Sequence, residues 1–135
     1  MKVIINSVIP FKGFSAITIW PCIFVRKDKV EKLKKKGKWD LMLNHEGIHG
    51  QQQKEVLTIS IVLAFVLLMA GCGWWSLLAL PLYFWWYLLE WFVRLFCQRN
   101  AYRNISFEQE AYANEGHFDY IEERIPFAWV RYIFK

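Results

Sequence analysis

Charged and uncharged positions are sharply segregated along this chain. No Asp, Glu, Lys, Arg or His occurs in the 34 residues from Val56 to Leu89. A single helix of that length would extend about 51 Å at 1.5 Å per residue, whereas the hydrocarbon core of a bilayer is about 30 Å thick. The pattern therefore predicts two membrane-inserted helices, near 53–71 and 74–96, that form a hairpin.

The turn of this hairpin is predicted at Gly71-Cys72-Gly73, because paired glycines interrupt helices and favour turns. Pro81 is the alternative break, or a kink within the second helix, since proline lacks the backbone N–H that a helix interior uses. Tryptophans are frequent in this half of the chain, as is typical of residues that lie at a membrane interface. They are Trp74, Trp75, Trp85, Trp86 and Trp91.

Basic residues flank the uncharged run on both sides. Residues 26–38 contain eight Lys or Arg, and Arg94, Arg99 and Arg103 follow the second span, while the turn between the spans carries no charge. Positive charge is retained on the cytoplasmic side of membranes. The distribution predicts an integral membrane protein of a bacterial inner membrane, with the lipid bilayer as a partner and both termini in the cytoplasm.

Shorter elements are predicted outside the hairpin. Apolar and β-branched residues, punctuated by Pro and Gly, favour short strands at 3–9, 16–20 and 22–25. Residues 39–55 have helical periodicity. A further helix is predicted from Ser106 to about Arg124, with Ser106 and Gln109 as a capping box.

The resulting fold class is mainly α (α+β at most), in a single domain over 1–135. It comprises a β-leaning and basic N-terminal part (1–38), a helix over 39–55, the membrane hairpin over 56–97, and a Glu-bearing helix with an amphipathic tail over 105–135.

The amino-acid composition argues against several classes of protein. The chain is 56% hydrophobic and 19% aromatic, and the hydrophobic fraction exceeds the roughly 45–50% of soluble domains. The net charge of +5 is modest, and the basic residues are not interleaved with the aromatic ones, so no nucleic-acid partner is expected. Three widely separated cysteines do not form a disulfide framework.

The clearest chemical motif is His45-Glu46-Gly47-Ile48-His49, an HExxH sequence. Residues four apart share one face of a helix, so His45 and His49 can bind one Zn²⁺. Glu46 would then lie beside the metal, where a carboxylate can accept a proton from bound water. The motif predicts a zinc cofactor with Glu46 as the catalytic residue.

A catalytic zinc ion requires a third protein ligand and one open position. Glu108 and Glu110 are the candidates, in the helix that follows the hairpin. Two membrane crossings return the chain to the side from which residue 50 left, so topology is consistent with a ligand set of His45, His49 and Glu108, with Glu110 as the alternative.

HEGIH followed, after a membrane insertion, by FEQEAY resembles the gluzincin arrangement of two His and a later Glu. The chain is similar to the membrane-embedded gluzincin peptidases related to the CAAX prenyl protease, and in size to the minigluzincins. Those peptidases carry Ala and Asp three and four residues after the Glu ligand. Here Ala111 and Tyr112 occupy these offsets from Glu108, so the Asp that orients a zinc-bound His has no counterpart.

The resemblance implies a membrane-bound zinc metallopeptidase that hydrolyses a peptide or protein substrate. It also implies that Ala16–Trp20 forms an edge strand that aligns the substrate, and Tyr112 and His117 are candidate donors to an oxyanion. The alternative is a non-catalytic membrane protein whose zinc ion is structural.

Overall fold

The computed structural model describes residues 1–97 and 100–134, so Arg99, one of the basic residues after the second span, lies outside the described residues. The described chain is mainly α-helical with one small sheet, in agreement with the predicted fold class. Its elements are β1 (Lys2–Asn6), β2 (Ala16–Ile19), β3 (Cys22–Arg26), α1 (Lys27–Lys35), α2 (Trp39–Met69), a 3-10 helix (Gly73–Ala79), α3 (Leu82–Cys97), α4 (Ser106–Asn114), α5 (Tyr120–Glu123) and a second 3-10 helix (Ala128–Tyr132).

The chain divides into two compact units. The first comprises residues 1–51 and 110–125, and the second comprises residues 52–109 and 126–135. Helices α2 and α4 each contribute residues to both units without a break in the helix.

The first unit contains a three-stranded sheet in the order β1-β3-β2, with β1 parallel and β2 antiparallel to β3. The three predicted strands are thus confirmed, although β1 ends at Asn6 rather than at Ile9. The Asn6 side chain accepts hydrogen bonds from the N–H groups of Val8 and Ile9, which turns the chain out of the strand.

One face of this sheet is buried. Thr18 and Ile23 are directly paired across β2 and β3 and therefore point to the same side. Both are buried, as is Val25 two residues further along β3. Thr18 lies against helix α2, where its hydroxyl contacts Glu46.

The basic run at 26–38, to which the sequence assigned no element, forms helix α1 over most of its length. Asp28 in its first turn and Lys32, Lys34 and Lys35 in its last turn match the helix dipole.

The helix predicted over 39–55 and the first predicted membrane helix are one continuous helix, α2, of 31 residues. Among the described residues, α2 is the one helix that is by itself long and apolar enough to span a membrane. The 3-10 helix and α3 meet this criterion together, but the pair is bent by 61°. Pro81 lies at this bend, where a break or kink was expected because proline lacks a backbone N–H.

The turn after α2 is at the predicted glycines. Gly71 and Gly73 have φ values of +85° and +54°, a left-handed conformation that glycine adopts without steric cost.

The core of the second unit is aromatic. Phe107 at the start of α4 is fully buried and stacks on Tyr83 of α3, with 4.4 Å between the ring centroids. Trp129 in the C-terminal 3-10 helix packs against the same phenylalanine, at 4.7 Å. The first turn of α4 is therefore fixed between α3 and the C-terminal segment.

The prediction of one helix from Ser106 to about Arg124 is wrong, because α4 ends at Asn114. The Asn44 side chain of α2 donates to the carbonyl oxygens of Glu115 and His117, at 2.9 and 3.0 Å. Gly116 also disfavours helix continuation. The segment after Asn114 is thereby held in an irregular conformation before α5 begins.

The predicted capping box is also wrong. The Ser106 hydroxyl donates to Glu90 Oε2 at 2.6 Å, and the Gln109 side chain donates to the carbonyl oxygen of Asn104. A carboxylate from α3 thus takes the place of a local cap.

Candidate metal centre

His45 and His49 lie one turn apart on α2 and face each other. Their Nε2 atoms are 3.2 Å apart, and their side chains form an edge-on ring pair. The i, i+4 spacing puts both imidazoles on one helix face, as the motif predicted.

Glu108, in the first turn of α4, completes this group. One ligand atom from each of His45, His49 and Glu108 lies within 4.8 Å of the others. All three residues are buried, with exposed fractions of 9%, 7% and 2%. The Tyr87 hydroxyl donates to Glu108 Oε1 at 2.8 Å and fixes the orientation of the carboxylate.

The donor set fits a zinc ion. Zn–N bonds of about 2.05 Å at a tetrahedral angle put two imidazole nitrogens about 3.3 Å apart, close to the observed 3.2 Å. Two imidazoles and one carboxylate are a ligand combination of catalytic zinc sites. The group could therefore hold a metal ion.

Glu110, the alternative third ligand, points elsewhere. Its Oε1 accepts hydrogen bonds from Arg124 Nε at 2.8 Å and from the Tyr120 hydroxyl at 3.0 Å. Among the described residues, the group that could bind a metal contains Glu108 and not Glu110.

A second carboxylate contacts the His45 ring at Nδ1, the ring nitrogen other than the one that faces His49. Glu115 Oε2 lies 2.9 Å from His45 Nδ1. A hydrogen bond at Nδ1 fixes the tautomer in which the Nε2 lone pair of His45 is available to a metal. Glu115 therefore orients the His45 ring, a contact for which the sequence offered no Asp.

Comparison of the chain with protein families, curated proteins and solved structures found no match. The geometry of these side chains is therefore the basis for assigning a function.

Glu46 is in contact with the sheet through Thr18. The Thr18 hydroxyl lies 2.8 Å from both Glu46 Oε2 and the Glu46 backbone oxygen, and both side chains are buried. Thr18 belongs to β2, which is an edge strand of the sheet. The edge position that was expected of this strand is confirmed, and its role in aligning a substrate stays a prediction.

The glycines of the motif segment lie close to the ends of two flexible side chains. A Cβ at Gly47 would lie 2.6 Å from Ile121 Cδ1, and at Gly50 it would overlap the Met1 side chain. These glycines cost the helix about 1 kcal/mol each relative to alanine, and a side chain at either position would require Ile121 or Met1 to shift.

The first turn of α4 is positioned by two polar side chains, Gln52 of α2 and Glu90 of α3. Gln52 is fully buried, and its amide donates to the carbonyl oxygen of Phe107 at 3.0 Å. Glu90 accepts from the Ser106 N–H at 2.9 Å and pairs with Arg94, which in turn donates to the carbonyl oxygen of Ile133. The sequence signal for such a structural role of Glu90 is its position as a charged residue in an otherwise apolar stretch.

The two candidate oxyanion donors are placed differently. The Tyr112 ring packs edge-on against His45, with 4.6 Å between the centroids. The His117 side chain is 54% exposed and lies 3.4 Å from Glu123. Tyr112 is thus next to the group that could hold a metal ion, whereas the His117 side chain lies beside Glu123 at the surface.

Glu115→Ala is expected to weaken zinc affinity by about 10–100-fold, the usual effect of removing a carboxylate that orients a zinc-bound histidine. Competition with a chromogenic chelator would measure the affinity. Glu122→Ala, at an exposed acid of α5, is the matched control and should bind like the unmodified protein. Equal affinities in the two variants would contradict the orienting role.

Proposed function

We propose that this chain is a membrane-bound, zinc-dependent metallopeptidase that hydrolyses peptide bonds. The observation that carries the proposal is the buried group of His45, His49 and Glu108, adjacent in sequence to the carboxylate of Glu46. Glu115 behind His45 and Thr18 beside Glu46 add to it, because both interactions orient groups that such chemistry uses.

Each residue has a defined role in this function. His45, His49 and Glu108 hold the zinc ion, which when bound supplies a Lewis acid that lowers the pKa of water and polarises a carbonyl group. Glu46 accepts a proton from the attacking water as the new C–O bond forms. It then donates this proton to the amine nitrogen as the C–N bond breaks. Thr18 orients the Glu46 carboxylate through its hydroxyl.

The edge strand β2 offers a binding mode for the substrate. An edge strand has backbone N–H and C=O groups that can pair with an added extended peptide. Because Thr18 of this strand contacts Glu46, a peptide added along β2 would run past the general base. This favours an extended peptide or protein segment as substrate.

In this function the apolar parts of α2 and α3 form a hairpin inserted in a bacterial inner membrane, with both termini and the zinc site in the cytoplasm. Exposed apolar side chains on both helices support insertion, among them Phe65, Met69, Trp85 and Phe92. The exposed indoles of Trp74 and Trp75 follow directly after the uncharged turn.

A structural zinc ion without catalysis is the second candidate. The observation that favours it is the burial of all three candidate ligands, since structural zinc sites are closed to solvent. In that case the metal would stabilise the fold, and Glu46 would have no role in chemistry.

Metal analysis of the purified protein tests whether the chain binds zinc, which both candidate functions require. About one equivalent of zinc is expected in the detergent-solubilised protein, because the described residues contain one three-residue group that could hold a metal ion. His45→Ala should remove it, while His117→Ala, which truncates the exposed histidine, should retain it. Retention of zinc in both variants, or its absence from the unmodified protein, would overturn the assignment.

A further inference from the structure

The loop between β1 and β2 exposes an unusual number of apolar side chains. Val8 and Phe11 are 76% and 85% exposed, and Ile9 and Phe14 are also exposed. Contiguous apolar side chains on a surface indicate a contact with another apolar phase or molecule.

This loop is held in one conformation by named hydrogen bonds. The Asn6 side chain accepts from the N–H groups of Val8 and Ile9, at 2.8 and 2.7 Å. The guanidinium of Arg26, a buried residue, donates to the carbonyl oxygen of Pro10 at 3.0 Å. The backbone is thus fixed while the apolar side chains remain at the surface, so their exposure is built into the fold of the first unit.

A basic groove adjoins the loop. Ser15, which directly follows Phe14, accepts a hydrogen bond from the Arg26 N–H at 3.0 Å. The same Arg26 side chain pairs with Asp28 at the start of α1. The groove is lined by Ser15, Leu33 and four lysines, Lys29, Lys32, Lys36 and Lys38.

The positive charge of the chain is concentrated at this groove. Residues 26–38 carry eight Lys or Arg and two acids, whereas the rest of the chain carries nine Lys or Arg and ten acids. The whole net charge of +5 therefore derives from this segment.

We infer that this surface, the apolar loop 8–14 together with the lysine groove of α1, docks on the anionic headgroup face of a lipid bilayer. Lysines near a membrane surface are attracted to anionic lipids, and aromatic and aliphatic side chains beside them enter the boundary between headgroups and acyl chains. The docking adds a second membrane contact to the α2–α3 hairpin and depends neither on zinc nor on catalysis.

An environment-sensitive NBD fluorophore at Phe11→Cys tests the docking, in the full chain with the native cysteines replaced by serine. The protein is combined with nanodiscs of phosphatidylcholine alone or with about one third phosphatidylglycerol. The expected result is blue-shifted emission, quenched by brominated acyl chains, in the anionic nanodiscs. Lys32→Glu with Lys36→Glu should lower the docked-to-undocked ratio about tenfold or more, and Lys32→Arg with Lys36→Arg should restore it.

Fluorophores at two further positions distinguish docking of the loop from insertion of the hairpin. A fluorophore at Glu122→Cys, on an exposed residue of the same unit, should stay in water in both nanodiscs. A fluorophore at Trp75→Cys reports insertion of the hairpin in either composition, so failure of the hairpin is distinguished from failure of the docking. A Phe11 label as hydrated as the Glu122 label in anionic nanodiscs would overturn the inference. So would shielding of the Phe11 label that is the same in both nanodiscs and is not quenched by brominated acyl chains, which would instead indicate contact with protein.

Discussion

Glu46→Gln is expected to lower peptide turnover by about 10²–10⁴-fold, the range typical for loss of a general acid–base group. Glutamine keeps the size of the side chain and its ability to accept a hydrogen bond from Thr18, but it is not basic near neutral pH. Because Glu46 does not belong to the group that could bind the metal, the zinc content should remain at one equivalent.

The measurement compares initial rates on quenched fluorescent peptides and on membrane-protein substrates, in detergent and in liposomes, alongside metal analysis. A chelator should abolish the activity of the unmodified protein, and added zinc should restore it. Glu122→Gln, a change of the same type at an exposed position, should cleave like the unmodified protein. If Glu46→Gln also cleaves at that rate, Glu46 is not the general base. A zinc-loaded protein that cleaves none of the substrates would favour the structural role of the metal.

Glu110→Gln is expected to lower the free energy of unfolding by about 3–5 kcal/mol, as is typical when one partner of a buried ion pair is removed. The Glu110 side chain is fully buried and the Arg124 side chain is 4% exposed. The variant removes the negative charge that faces the Arg124 guanidinium, so less of the cost of burying that cation is offset. Denaturation in detergent, followed by circular dichroism, would measure the change.

Removing both charges in Glu110→Leu with Arg124→Leu should cost less than Glu110→Gln alone, because no uncompensated charge stays buried. Zinc affinity should change far less in Glu110→Gln than in Glu108→Gln, because Glu108 belongs to the group that could hold a metal ion. A destabilisation below about 1 kcal/mol, the range of an exposed pair, would show that the Glu110–Arg124 pair does not stabilise the first unit.

The parts of the molecule that the sequence predicts well are those fixed by local geometry. The spacing of His45 and His49 determines their common helix face, since four residues are close to one turn. The glycines at 71 and 73 form the turn, and Pro81 lies at the bend, because both effects arise from the backbone of the residue itself. The short strands follow from β-branched residues between prolines and glycines.

The parts that the sequence predicts poorly depend on contacts between distant residues. Asn44 ends α4 through carbonyl groups about seventy positions away, and Glu115 reaches His45 across a similar separation. Glu108 and Glu110 are equivalent by local pattern, and the pairing of Glu110 with Arg124 distinguishes them. No periodicity or motif encodes such pairings, because they depend on which elements pack together.

The continuity of α2 has a consequence for where a substrate is cut. Val56, the first residue of the uncharged run, lies seven positions after His49, and both residues belong to one unbroken helix. At 1.5 Å per residue this is about 10 Å, so the helix sets a fixed distance between the two histidines of the candidate metal site and its apolar portion. In the proposed peptidase, this distance would favour cleavage of peptide bonds a few residues beyond the point at which a substrate emerges from the lipid. Distance from the bilayer, rather than side-chain identity alone, would then determine the cleavage position.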